Sequence, residues 1–91
     1  MLYMVIERFN EGAAPEIYRR ARERGRMLPP GLAYLDSWVD WEFRRCFQLM
    51  STEDAALIDE WRAAWHDLVA FEVIPVRSSA EAAKAIASSL G

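Results

Sequence analysis

The chain holds one cysteine, one histidine and no apolar run long enough to cross a bilayer. Each scarcity excludes something. Cys46 cannot close an intrachain disulfide by itself and suits a reducing compartment. His66, with no second histidine and no cysteine near it, is a poor metal ligand, so neither a metal nor a cofactor is expected. Positive charge is also short. Eleven Lys and Arg stand against fourteen Asp and Glu, a net charge of −3, which argues against a nucleic-acid partner. The opening Met-Leu-Tyr-Met-Val-Ile reaches Glu7 without a basic leader or a small-residue cleavage site, unlike a secretory signal. With no internal repeat and no low-complexity linker, the expectation is one domain over residues 1–91, cytoplasmic and not bound to membranes.

Apolar residues, by contrast, are plentiful. They make up 53% of 91 residues, including four Trp, four Phe and three Tyr. A domain this small buries a modest share of its surface. An apolar load beyond what its core can take calls for a partner surface, and a second copy is the commonest one. A homodimer is therefore expected.

The order of elements follows from periodicity and turn residues. Leu2–Phe9 (LYMVIERF) reads as a short buried strand, and Asn10-Glu11-Gly12 as a turn. Pro15 fits the first turn of a helix that begins by Glu16 and turns Ile17, Tyr18, Ala21 and Leu28 inward. Gly25 or the Pro29-Pro30-Gly31 cluster ends it. Leu32–Asp40 and Arg45–Met50 alternate as two strands of an antiparallel hairpin. Ser51-Thr52-Glu53-Asp54 opens a helix running to about Val69. Ala70–Arg77 reads as a fourth strand, and Ser78-x-x-Glu81 as a capping box for a last helix over about 79–90. The result is α+β: a ferredoxin-like βαββαβ unit with a four-stranded antiparallel sheet in order 4-1-3-2 and an extra C-terminal helix. Pro75 agrees with an edge position for the fourth strand, since proline cannot donate to a ladder.

Helices cover one face of such a sheet. A water-facing second face should alternate apolar with polar residues, and these strands do not. The aliphatic and aromatic row, Leu2, Met4, Ile6 with Phe47, Leu49, Phe71 and Val73, is expected under the helices. The mixed row, Tyr3, Val5, Glu7 and Phe9 with Gln48, Glu72 and the Tyr34-Asp36-Trp38 series, is expected to meet its own copy in a dimeric α+β barrel.

Within that row Glu7, Tyr34, Trp38, Gln48 and Glu72 are the candidate ligand-binding residues. Two carboxylates, Glu7 and Glu72, held in a partly dry space would repel, and one pKa would rise. The bland alternative is that both sit at the barrel mouth, solvated or paired with Arg44 or Arg45. In WRAAWHDL, Trp61 and Trp65 share one helical arc with Leu57, Ala64 and Leu68, which reads as core rather than a ligand cage. Their indole N–H groups need a partner, for which Ser37 is a candidate. His66 points to solvent on the same wheel. Cys46 reads as a small apolar core residue. Arg19, Arg20, Arg22, Arg24 and Arg26, interleaved with Glu16 and Glu23, read as a solvated face, with binding of an acidic partner as the minor alternative.

The segments MLYMVIERF, RERGRMLPPGLAYLDSWV, RCFQLMSTEDAALIDEW and WHDLVAFEVIPV together resemble a small bacterial family known only as a domain of unknown function. The likeness runs from Met1 to about Ala83. It implies the dimeric α+β-barrel superfamily, and hence this fold and a homodimer; the family carries no settled activity. Other members of that superfamily include cofactor-independent monooxygenases, isomerases, haem enzymes and stress-responsive binding domains, which is analogy of fold alone. The family pattern turns between strands two and three through a glycine-containing polar loop, where this chain has Asp40-Trp41-Glu42-Phe43-Arg44. Three functions follow as expectations. The first is a dimer binding a small apolar or aromatic molecule, and the second a cofactor-independent monooxygenase or isomerase using the same pocket. The third is a structural dimer recruiting a protein through its arginine-rich helix.

Overall fold

The computed structural model describes residues 1–91. Its elements are β1 (Leu2–Phe9), α1 (Ala14–Arg24), β2 (Ala33–Val39), β3 (Arg45–Ser51), α2 (Ala56–Arg62), β4 (Val69–Val76) and α3 (Ser79–Ile86), followed by a 3-10 turn, Ala87–Leu90. The strands form one antiparallel sheet in the order β2-β3-β1-β4, the ferredoxin-like arrangement expected. Pro75 lies on the edge strand β4, opposite Tyr3.

Local chemistry sets the boundaries. Pro15 occupies the first turn of α1, and Gly25 ends it in the left-handed region at φ 67°. Gly31 is favoured by its backbone conformation, at φ 95°. A Cβ there would approach Leu57 Cδ1 to 2.9 Å, although that side chain could shift. The Ser78 hydroxyl accepts the Glu81 N–H at 3.1 Å, so the Ser78 half of the expected capping box forms.

α2 is shorter than expected. It stops at Arg62, and residues 63–68 continue as tight turns closed by Ala64 N–H to Trp61 O, Trp65 N–H to Arg62 O and Leu68 N–H to Trp65 O. Arg20 of α1 fastens these turns. It donates to both carboxylate oxygens of Asp67, at 2.9 and 2.7 Å, and to the Ala64 carbonyl at 2.9 Å. That pairing holds the Asp67 carboxyl down at about 2.

Register corrects the expected faces. Glu7 pairs with Cys46 on one side and Phe71 on the other, so Val5, Glu7, Gln48, Met50, Phe71 and Val73 share a face. That face lies under the helices. Val5 and Met50 are fully buried, Trp61 and Ile58 are 2% exposed, and Trp61 meets Phe71 edge-on at 5.4 Å. Of the row expected inside, Phe71 and Val73 lie there, whereas Leu2, Met4, Ile6, Phe47 and Leu49 face the other way, joined by Glu72, Ile74 and Val76. The mixed row could go inward because its polar members find partners there; no buried side-chain nitrogen or oxygen is left without one.

A bulge in β2 makes the second correction. Tyr34 pairs with Met50 and Ser37 with Gln48, with a register shift between Tyr34 and Asp36. The extra residue turns Tyr34 and Ser37 to the helical face and leaves Asp36 and Trp38 on the open one. Strict alternation would have kept Tyr34, Asp36 and Trp38 together.

Only 12 of 91 residues are buried, so much of the apolar content lies outside the core. Some of it is the open sheet face, where Trp38 is 52% exposed. More is at the β2–β3 tip, where Trp41 is 99% exposed and Phe43 packs edge-on against Tyr18 at 5.9 Å. The Asp40 carboxylate organises that tip by accepting the N–H groups of Arg44 and Arg45 at 2.7 and 3.1 Å.

Candidate functional site

A cavity of about 210 Å³ lies between α1, the α2 turns and the inner face of the sheet. β1 brings Glu7 and Phe9, β3 brings Cys46 and Gln48, the bulged β2 brings Ser37 and Val39, and Trp61 and Trp65 close the far wall. A cavity of ~150 Å³ holds a benzene ring, so this one has room for a single ring with a substituent.

Its polar groups form one connected run. The Gln48 side-chain amide donates to Glu7 Oε1 at 2.6 Å, and the Arg26 Nε–H donates to Gln48 Oε1 at 3.3 Å. The Arg26 guanidinium lies 3.6 Å from the centre of the Tyr34 ring, a cation–π contact. The Tyr34 hydroxyl in turn meets Ser37 Oγ at 2.7 Å. Glu7 and Gln48 are 9% and 4% exposed.

Burial raises the Glu7 carboxyl from 4.5 to about 7, against the smaller opposing pulls of Arg26 and the Gln48 hydrogen bond. The cause is desolvation and not a second carboxylate: Glu72 is on the opposite face, exposed, with Arg8 at 3.7 Å. Burial, with the Glu7 charge adding to it, pushes the Cys46 thiol up to about 12, which leaves it an inert neighbour. Glu7 Oε2 takes no protein hydrogen bond, and Glu7 lines the cavity, so one oxygen is available to whatever enters.

Of the five candidate residues, then, Glu7, Tyr34 and Gln48 come together, whereas Trp38 and Glu72 lie across the sheet from them. Arg26 was missed, having been counted with the solvated arginines of the first helix. It falls just past Gly25, where the chain leaves α1, and Met27 follows in the left-handed region at φ 59°. This local path turns the Arg26 carbonyl inward, where it accepts both indole N–H groups, Trp61 at 2.9 Å and Trp65 at 3.1 Å. Ser37 is not their partner. The glycine at 25 is the one signal in the sequence that residue 26 departs from the helical wheel. His66 is exposed, with Nδ1 2.9 Å from the Ala63 carbonyl, and takes no part.

A wider depression of about 950 Å³ lies between the β1–α1 turn and the hairpin tip. Most of its charged lining is engaged internally: Arg44 with Glu42 at 3.2 Å, Arg45 with Asp40 at 3.7 Å and Arg8 with Glu72 at 3.7 Å. No three His, Cys, Asp or Glu side chains gather anywhere to hold a metal, and no helix is long and apolar enough to cross a membrane.

Comparison with curated proteins and with solved structures returned no match. One family model does match, over residues 1–90 and so across every strand and helix that builds the cavity, and by it the chain belongs to the family described as Domain of unknown function (DUF3303).

Proposed function

We propose that this chain is a small-molecule-binding protein that works as a homodimer, with one ligand site inside each copy. The ligand is a single-ring, largely apolar molecule bearing one polar group that meets Glu7. The observation that carries this reading is the cavity itself: aromatic and aliphatic walls, one carboxyl oxygen without a protein partner, and a neighbouring arginine held by Gln48 and Tyr34. A few convergent polar groups in an apolar hollow are the usual form of a ligand site. Pairing of two copies through the open sheet face, as in a dimeric α+β barrel, is supported by the half-exposed Trp38 and the apolar Met4, Ile6, Phe47 and Leu49 beside it.

Tryptophan emission tests the site directly, because Trp61 and Trp65 line it whereas Trp38 and Trp41 are exposed. Titration of a Trp38→Phe/Trp41→Phe variant, whose emission comes from Trp61 and Trp65 alone, with substituted phenols and benzoates is expected to give a saturable change. Glu7→Leu should abolish that change for ligands with a polar group. Absence of any saturable response across the panel would overturn the reading.

One observation favours an enzymatic use of the same cavity: Glu7 stands near neutrality with an oxygen facing the hollow. In that reading Glu7 takes a proton from carbon in an enolisable ring substrate and returns it elsewhere, with Arg26 beside the oxyanion. Deuterium from solvent should then enter such substrates with wild type and not with Glu7→Gln. Equal incorporation by both would remove Glu7 as the base.

A further inference from the structure

We propose that α3 is an arm that docks on a second copy of the chain, lying along the margin of that copy's apolar sheet face. The inference rests on the reading that the sheet faces of two copies meet, and it goes further by assigning the C-terminal segment a place in that contact.

Every residue from Arg77 to Gly91 is exposed. Ile86 and Leu90 are 54% and 77% exposed, and nothing in α3 is buried. Yet the segment is not built for water on all sides. Ala83, Ile86, Ala87 and Leu90 recur at the spacing of one helical stripe, with Glu81 and Lys84 off it. A helix this short is marginal in water unless an apolar surface receives its stripe.

Its own chain does not supply that surface. The molecule extends 52 × 30 × 17 Å with a radius of gyration of 15.2 Å. A compact chain of this length would have a radius of gyration of ~12 Å. The arm nevertheless springs from the edge of the open face. A hollow of about 310 Å³ at its base is lined by Leu2, Ser51 and Val76 of that face and by Glu81 of α3. Arm and sheet face therefore form one continuous surface.

Area and charge point to a second copy as the occupant. Four strands at ~4.8 Å spacing and seven residues at ~3.3 Å each give a projected sheet face of roughly 440 Å². A stable interface covers about 800 Å² per partner, so the faces alone fall short. Two arms, each ~20 Å long and ~10 Å across, make up much of the difference. The open face also carries Arg8 and Arg45 against Asp36 and Glu72, and α3 carries one acid and one base in Glu81 and Lys84. A balanced rim gives no hold to a partner of one charge sign, whereas it can match its own copy.

The test uses the full chain. In a Cys46→Ser background, a spin label on Ser88→Cys, off the apolar stripe, in otherwise unlabelled chain is mixed with ¹⁵N-labelled chain. Broadening of the Met4, Ile74 and Val76 amides on the ¹⁵N copy is expected. Sedimentation of Ile86→Glu/Leu90→Glu, both exposed positions, should show the dimer Kd weakened at least tenfold. An unchanged Kd, or no broadening of the ¹⁵N copy, or broadening only on its helical side, overturns the arm while the paired faces stand. A wild-type chain that remains monomeric at all concentrations overturns both.

Discussion

Glu7 is the residue with the largest energetic leverage. A raised carboxyl pKa means that the folded chain holds the proton more tightly than the unfolded chain does. Its contribution to stability is complete below the ordinary value of 4.5 and is lost as pH climbs through about 7. The full span of that loss is at most ~3 kcal/mol. Glu7→Gln keeps an acceptor for the Gln48 amide and cannot ionise. Its urea midpoint should stay flat across the interval in which the wild type declines, and above neutrality the variant should be more stable by ~1–3 kcal/mol. Parallel curves for the two proteins would show that Glu7 is better solvated than its surroundings imply. A carboxyl kept dry at a cost in stability is a candidate for use, and on that ground Glu7 anchors the proposed function.

Single elements show where physical reasoning from sequence succeeds and where it stops. The hairpin tip is one case. Phe43 sits in the left-handed region at φ 58° and packs on Tyr18. An L-residue there costs ~1–2 kcal/mol, and an edge-on aromatic pair returns ~0.5–1.5 kcal/mol. The two nearly cancel, so Phe43→Gly should change the unfolding free energy by less than ~1 kcal/mol. Phe43→Val, which keeps the strain and loses the ring, should cost ~1–2 kcal/mol. Chemical denaturation of both variants checks the pair. The same position explains why a loop that departs from the glycine-containing pattern can still close. Strand existence, strand order and the edge role of β4 were legible, because β-branched and aromatic runs, turn residues and Pro75 all point one way. Which face turns inward was not. Both rows of β1 are largely apolar, and the polar member Glu7 argued for the outside until Arg26 and Gln48 supplied it with partners. The β2 bulge left no mark in the alternation of LAYLDSWVD, and it is this bulge that parts Tyr34 from Trp38. α2 ended early because the Arg20–Asp67 pair and the Arg26 carbonyl favour tight turns around the two tryptophans, a tertiary effect beyond the reach of any helical wheel.

At the scale of the whole molecule, the parts separate cleanly. The cavity lies between helices and sheet within one chain, not between two sheets, so the proposed binding and the proposed self-association would fail independently. The C-terminal segment buries nothing against its own chain. Deleting residues 78–91 should therefore leave the unfolding free energy of the dilute monomer within ~0.5 kcal/mol of wild type, the range of ordinary surface changes. A larger loss in urea titration would mean that the segment folds back on its own chain.

The back-to-back arrangement of cavity and open sheet face has a consequence for how the family can vary. Along β1 and β3 the two faces are written in alternate letters: Glu7 and Gln48 line one, Ile6 and Phe47 the other. Inserting or deleting one residue in either strand would exchange the two faces from that point onward. Length changes in these strands should thus be tolerated only in pairs, or be absorbed by a compensating bulge, whereas the loops are free to gain or lose residues singly.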